Sequence, residues 1–141
     1  MIKYLIAVTT LFIIFNNIKC VVNRHRYLDS PIITYSGEKK ANIIKISLVF
    51  ENGFSDSLEV YLNNSLIERK YFQTDESLGV VKNRGISIEA REKKDLSLKI
   101  FDINNRKNVL NISMSKGYEF LYLNYYKQWH ILYSNETKTY E

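Results

Sequence analysis

Side chains able to do chemistry are few and scattered along this chain of 141 residues. Its two histidines, His25 and His130, and its single cysteine, Cys20, stand far apart, whereas a zinc site gathers three or four His, Cys or carboxylate ligands. No metal site is expected. A hydrolase built on Ser, His and Asp would need His130 as its base, because His25 precedes the strand-rich region. His130 alternates with the apolar Trp129 and Ile131, so it reads as an ordinary polar residue on an outer face. No serine sits in a glycine-flanked elbow that would expose a nucleophile. The carboxylates Asp75-Glu76, and Asp56 with Glu59, are the groups that glycoside cleavage could use, but that chemistry needs two acids opposed across a substrate. Adjacency in sequence does not supply this, and Asp75-Glu76-Ser77 reads as a loop. The five glycines are dispersed singly, so no phosphate-cradling loop is present. The chain reads as a non-enzyme that needs no cofactor.

Aromatic residues carry the remaining functional signal. Tyr125, Tyr126, Lys127 and Gln128 form the candidate binding site, read as a hairpin loop before a last strand that begins at Trp129. Tyr and Trp offer rigid contact area to proteins, and their ring faces also suit sugars. The competing reading places Trp129 in the core and both tyrosines at strand ends. Tyr61 and Tyr71, flanking an earlier hairpin, share the ambiguity. The function these features point to is a non-catalytic interaction module that binds a protein partner through a sheet edge or loops. The alternatives are a carbohydrate-binding module using the loop aromatics, or an unrecognised enzyme inhibitor.

The N-terminus sets the compartment. Lys3 precedes an apolar run from Tyr4 to Phe15 that ends at Asn16-Asn17, which is the pattern of a secretion signal. The run is shorter than the roughly 20 residues a membrane-crossing helix needs, so residues 1–20 read as a signal peptide. Cleavage near Cys20 gives a periplasmic, cell-surface or secreted protein. Cys20 is also a candidate lipid-attachment residue, although Lys19 before it fits such processing poorly, and a lipid there is the one membrane contact expected. Residues 21–141 then contain no cysteine and no disulfide, so stability must come from the core. The formal charge of +5 falls to +3 once Lys3 and Lys19 are removed, since residues 1–20 hold no acid. The basic pairs Lys39-Lys40, Lys93-Lys94 and Arg106-Lys107 lie in turn-like stretches among acids, unlike the single basic face of a nucleic-acid binder. No nucleic-acid partner is expected.

The elements that must position these groups read as strands. Residues 21–42, with the only proline, form a lead-in segment with one short edge strand at Ile32 to Tyr35. From residue 43 to 141 the pattern has period two. Ile46, Leu48 and Phe50 alternate with Lys45 and Ser47 before the turn at Glu51-Asn52-Gly53. Leu58, Val60 and Leu62 alternate with Glu59 and Tyr61, and Asn63-Asn64 suits a tight hairpin because Asn tolerates positive φ. Further strands are expected at 78–82, 86–90, 96–101, 110–114, 118–123 and 129–133. This spacing predicts an all-β antiparallel sandwich of about seven or eight strands, immunoglobulin-like or transthyretin-like.

Overall fold

A computed structural model of the chain describes residues 30–82, 85–90 and 95–140. The signal segment, Cys20, His25 and the pair Lys93-Lys94 lie outside the described residues. Within them the protein is all-β. Ten strands form: β1 (Ile32–Ser36), β2 (Lys45–Phe50), β3 (Ser55–Leu62), β4 (Ser65–Asp75), β5 (Val80–Val81), β6 (Gly85–Glu89), β7 (Ser97–Asp102), β8 (Lys107–Ser113), β9 (Phe120–Tyr126) and β10 (Gln128–Ser134).

They make two five-stranded sheets, in the orders β1-β10-β9-β2-β6 and β5-β4-β3-β7-β8. The second sheet is antiparallel throughout. In the first, β1 runs parallel to β10 and β2 parallel to β9, which corrects the expectation of a wholly antiparallel fold. Alternation reveals which face of a strand is buried but not which strand lies beside it. Parallel neighbours need a long crossover, and here all five strands of the second sheet are threaded between β2 and β9. Ten strands form where about seven or eight were expected; β1 and β5 are the short strands foreseen at Ile32 to Tyr35 and 78–82.

Between the sheets lies one apolar core. Leu48 and Phe50 of β2, Val60 of β3, Phe72 of β4, Leu98 and Ile100 of β7, Leu121 and Leu123 of β9, and Ile131 and Tyr133 of β10 are all buried in it. Their alternation matches the expected parity in β2, β3 and β10. Phe50 packs its ring against Phe54 and Phe72, and Trp129 of β10 crosses to the second sheet, where its indole N–H donates to the Val109 carbonyl of β8 at 2.6 Å. Aromatic rings contribute large buried area, and a buried indole N–H needs such a partner.

The turns behave as their residues dictate. Asn63 and Asn64 adopt φ of 48° and 66° at the β3–β4 hairpin, the left-handed region Asn enters at low cost. Gly53, at φ 89°, is a stricter case, because a Cβ built there would stand 1.7 Å from the Tyr125 carbonyl oxygen. Only glycine lets this turn rest against the end of β9. Tyr125 N–H donates to Asn52 O at 3.0 Å across the same contact.

Candidate functional site

The four residues read as a binding loop are not a loop. Tyr125 and Tyr126 finish β9 and Gln128 opens β10, with Gln128 opposite Tyr126 in register. Lys127 alone makes the turn, at φ 64°. The physical reason is that a single left-handed residue reverses the chain, so the strands continue past the point where composition suggested an open loop. Tyr125 is half-buried, packed on the core with its ring 5.4 Å from Trp129. Gln128 Nε2 donates to Ser30 O at 2.7 Å, which ties its amide to the segment leading into β1. Tyr126 is 55% exposed and meets His130 edge-on at 6.1 Å. One open ring, rather than an aromatic platform, is what this end presents.

Beneath Tyr125 and Trp129 lies a crevice that Asp56 and Asp102 also line. Its volume of about 20 Å³ holds roughly one water molecule. Asp102 accepts from the Asn105 backbone N–H at 3.0 Å and from Asn105 Nδ2 at 2.6 Å, so it shapes the β7–β8 turn. Asp75 does the same after β4, accepting from the Ser77 backbone and hydroxyl. Those bonds hold its pKa below the usual carboxylate range, the Ser77 hydroxyl contributing most. Glu59 accepts from Tyr61 Oη at 2.5 Å and pairs with Arg69. The Tyr61 bond, with help from Arg69, lowers the Glu59 pKa, and Glu59 in turn raises that of Tyr61. Of the acids singled out in the sequence, Asp75 therefore serves local structure and Glu59 an ion pair. Among the described residues no group of three His, Cys, Asp or Glu is placed to hold a metal, and no helix is long and apolar enough to cross a membrane.

A cluster that sequence reading missed lies on the outer face of the first sheet. Glu51, 4% exposed, follows β2. Its carboxylate accepts from both Asn124 Nδ2 and Tyr140 Oη, and Lys138 Nζ lies 2.9 Å from each of its oxygens. Lys138 Nζ also stands 4.5 Å above the Tyr122 ring, a cation–π contact. Tyr122 Oη donates to Glu136 O and accepts from Lys138 N–H. The C-terminal segment is thereby strapped over β9. Glu51 and Lys138 are too far apart in sequence for any spacing to have linked them.

The feature most suited to recognition is β1. Ile32 is 42%, Ile33 37% and Tyr35 53% exposed. By register Ile33 and Tyr35 share the core-side face with Ile131 and Tyr133, yet both remain exposed. Tyr35 stacks on Tyr133 at 5.4 Å and its hydroxyl bonds Ser115 Oγ. On the outer face Ile32 lies opposite His130, beside the exposed Tyr126. The strand is fixed at both ends by side chains. Gln128 holds Ser30, and Asn135 Nδ2 donates to Glu38 O at 2.6 Å and Gly117 O at 3.0 Å. Its other edge has no strand partner among the described residues.

The remaining edges differ. The β4 edge carries Glu68, Arg69 and Lys70, and the β3–β4 register breaks at Val60/Tyr61. Strand β5 has two residues, β6 ends on Glu89, and β8 begins on Lys107 beside a register break. Among the described edges only β1 combines five residues with no charge and no irregularity. No family model, curated protein or solved structure matches the chain.

Proposed function

We propose that this chain is an exported, non-catalytic interaction module that binds a protein partner by strand addition at β1. The observation that supports the reading is an edge strand, open on one side, with apolar side chains on both faces and no charge. Such an edge is a ready template for another strand unless it is guarded, and main-chain pairing with side-chain pockets is a recurrent mode of protein recognition. Export follows from the residue 1–20 pattern, with a lipid on Cys20 as the alternative to a diffusing mature domain. The scaffold reading is an immunoglobulin-like or transthyretin-like sandwich, supported by two stacked five-stranded sheets. The parallel β1–β10 and β2–β9 pairs set it apart from the wholly antiparallel sheets of the immunoglobulin fold.

A photo-cross-linker placed on Thr34→Cys, compared with one on Leu66→Cys at the β4 edge, tests the assignment in the producing cells, with the wild type controlling for Cys20. Selective adducts from position 34 are expected. Equal yields at both positions would remove β1 as the docking edge. A carbohydrate-binding role has a different best location, the hollow of about 530 Å³ beside β4 lined by Tyr71, Gln73 and Lys82, which is within the range of ligand sites. Glycan-array signal abolished by Tyr71→Ala would favour that reading over strand addition.

A further inference from the structure

We infer that the occupant of the β1 edge is β1 of a second copy, paired antiparallel about a two-fold axis at Thr34, so that two first sheets join into one ten-stranded sheet. The inference rests on the reading of β1 as a docking edge and names its partner. Its warrant is self-complementarity. With Thr34 facing Thr34 of the other copy, each Ile33 falls opposite a Tyr35 and each Ile32 opposite a Ser36. Aromatic with β-branched, and Thr with Thr, are favourable cross-strand pairs. The outer face sets a large side chain against a small one. On the core-side face the two Ile33–Tyr35 pairs make one apolar cluster from residues now 37% and 53% exposed. Ile32–Ser36 carries no charge, so an identical strand meets no like-charge repulsion, whereas β4 against itself would oppose Arg69 and Lys70. An isologous contact of this kind closes on itself and does not propagate into fibres.

Five residues a side bury less than the 1,200–2,000 Å² of a standard stable interface, so the dimer belongs to the weak class and its population depends on concentration. Analytical ultracentrifugation of the exported protein from about 10 µM to about 1 mM covers that class. A reversible monomer–dimer transition is expected. Ile33→Lys, which sets two ammonium groups on the shared apolar face, should raise the midpoint concentration by about tenfold or more with little change in melting. Should that variant fail to fold, Thr34→Cys decides. Directly opposed Cα atoms in an antiparallel pair lie about 4.5–5.5 Å apart, within disulfide reach, so oxidation should link Thr34→Cys copies through position 34 and leave Leu66→Cys copies unlinked. A wild type that stays monomeric throughout overturns self-pairing. If position 34 then cross-links to a different polypeptide in cells, β1 remains a docking edge with another occupant. A dimer that persists in folded Ile33→Lys and links through position 66 overturns both readings.

Discussion

Two open edges of the same sandwich face the problem of unpaired backbone in opposite ways. Along β4 the core-side positions opposite Val60 and Leu58 are Glu68 and Lys70, half-buried, 3.6 Å apart, with Lys70 Nζ 4.9 Å over the Phe72 ring. Charges pointing inward at an edge deter a second strand, because pairing would desolvate them, and the register break at Val60/Tyr61 deforms the ladder a visitor would need. Along β1 the equivalent core-side positions are Ile33 and Tyr35. There is nothing to desolvate except apolar surface, whose burial favours association. Both edges have the same backbone chemistry, so what separates them is the side chains on the inward parity and the register break beside β4.

The largest expected effect concerns what holds the unguarded edge in place. Among the described residues strand β1 pairs only with β10, and β10 is fastened to the second sheet by Trp129, buried against Phe54 and bonded to Val109 O. Trp129→Ala should cost about 3–5 kcal/mol in denaturant unfolding, from the cavity and the orphaned carbonyl. A loss under about 1 kcal/mol would mean that β10 and its edge are supported elsewhere.

That prediction draws on parity legible in the sequence, since Trp129, Ile131 and Tyr133 alternate with half-buried His130 as read. The Asn63-Asn64 hairpin and the short strand at Ile32 were legible for similar reasons, being set by local preference and period. What was not legible depends on partners distant in sequence. Nothing near Ile32 announces that it lies parallel to His130, and nothing near Gln128 or Asn135 announces that their amides clamp the ends of β1. The Glu51–Lys138–Tyr140 cluster is hidden for the same reason. Tyr125 and Tyr126 misled because one Lys at positive φ can turn a hairpin where Asn or Gly is the usual signal.

Next in size is the exchange of guard between the edges. Replacing Glu68 and Lys70 together by Val removes both partners of this half-buried pair at once and leaves neither charge unpaired, so monomer stability should move by under about 1 kcal/mol. Association should change far more, with sedimentation showing new oligomers linked through β4 that Ile33→Lys does not suppress. If the double variant stays as soluble and monomeric as its parent, inward charge is not what guards β4, and the register break must suffice.

The two tyrosines at the end of β9 give a smaller contrast. Tyr125 packs on Trp129 and the core, whereas Tyr126 touches only the edge of His130 among the ring contacts. Tyr125→Ala should therefore cost about 2 kcal/mol and Tyr126→Ala about 0.5 kcal/mol or less, read as separate shifts in unfolding midpoint. Equal costs would restore the loop reading, in which neither ring belongs to the fold.

The smallest effect has an unusual sign, and it sits where the unguarded edge meets the core. Tyr133 of β10 is 1% exposed, and Tyr35 of β1 stacks on it. Its hydroxyl is buried with no hydrogen-bond partner among the described residues. Ser115 lies close enough to draw its pKa down somewhat, yet burial outweighs that pull and raises it above the ordinary tyrosine value, while the Ser115 hydroxyl is engaged with Tyr35 Oη at 3.1 Å. A buried hydroxyl without a partner has lost its water bonds and gained nothing in return, at a cost of about 1–3 kcal/mol. Tyr133→Phe keeps the ring, its stacking on Tyr35 and its packing on Tyr118, and removes only the oxygen. It should leave stability unchanged or raise it by about 1 kcal/mol, against the loss expected when a bonded tyrosine is truncated in this way. Because the ring that supports Tyr35 is retained, the β1 edge should associate as in the parent. A loss above about 1 kcal/mol would show that Tyr133 Oη bonds Ser115 in solution, and weakened association alongside it would place that bond among the contacts that hold β1 in its docking position.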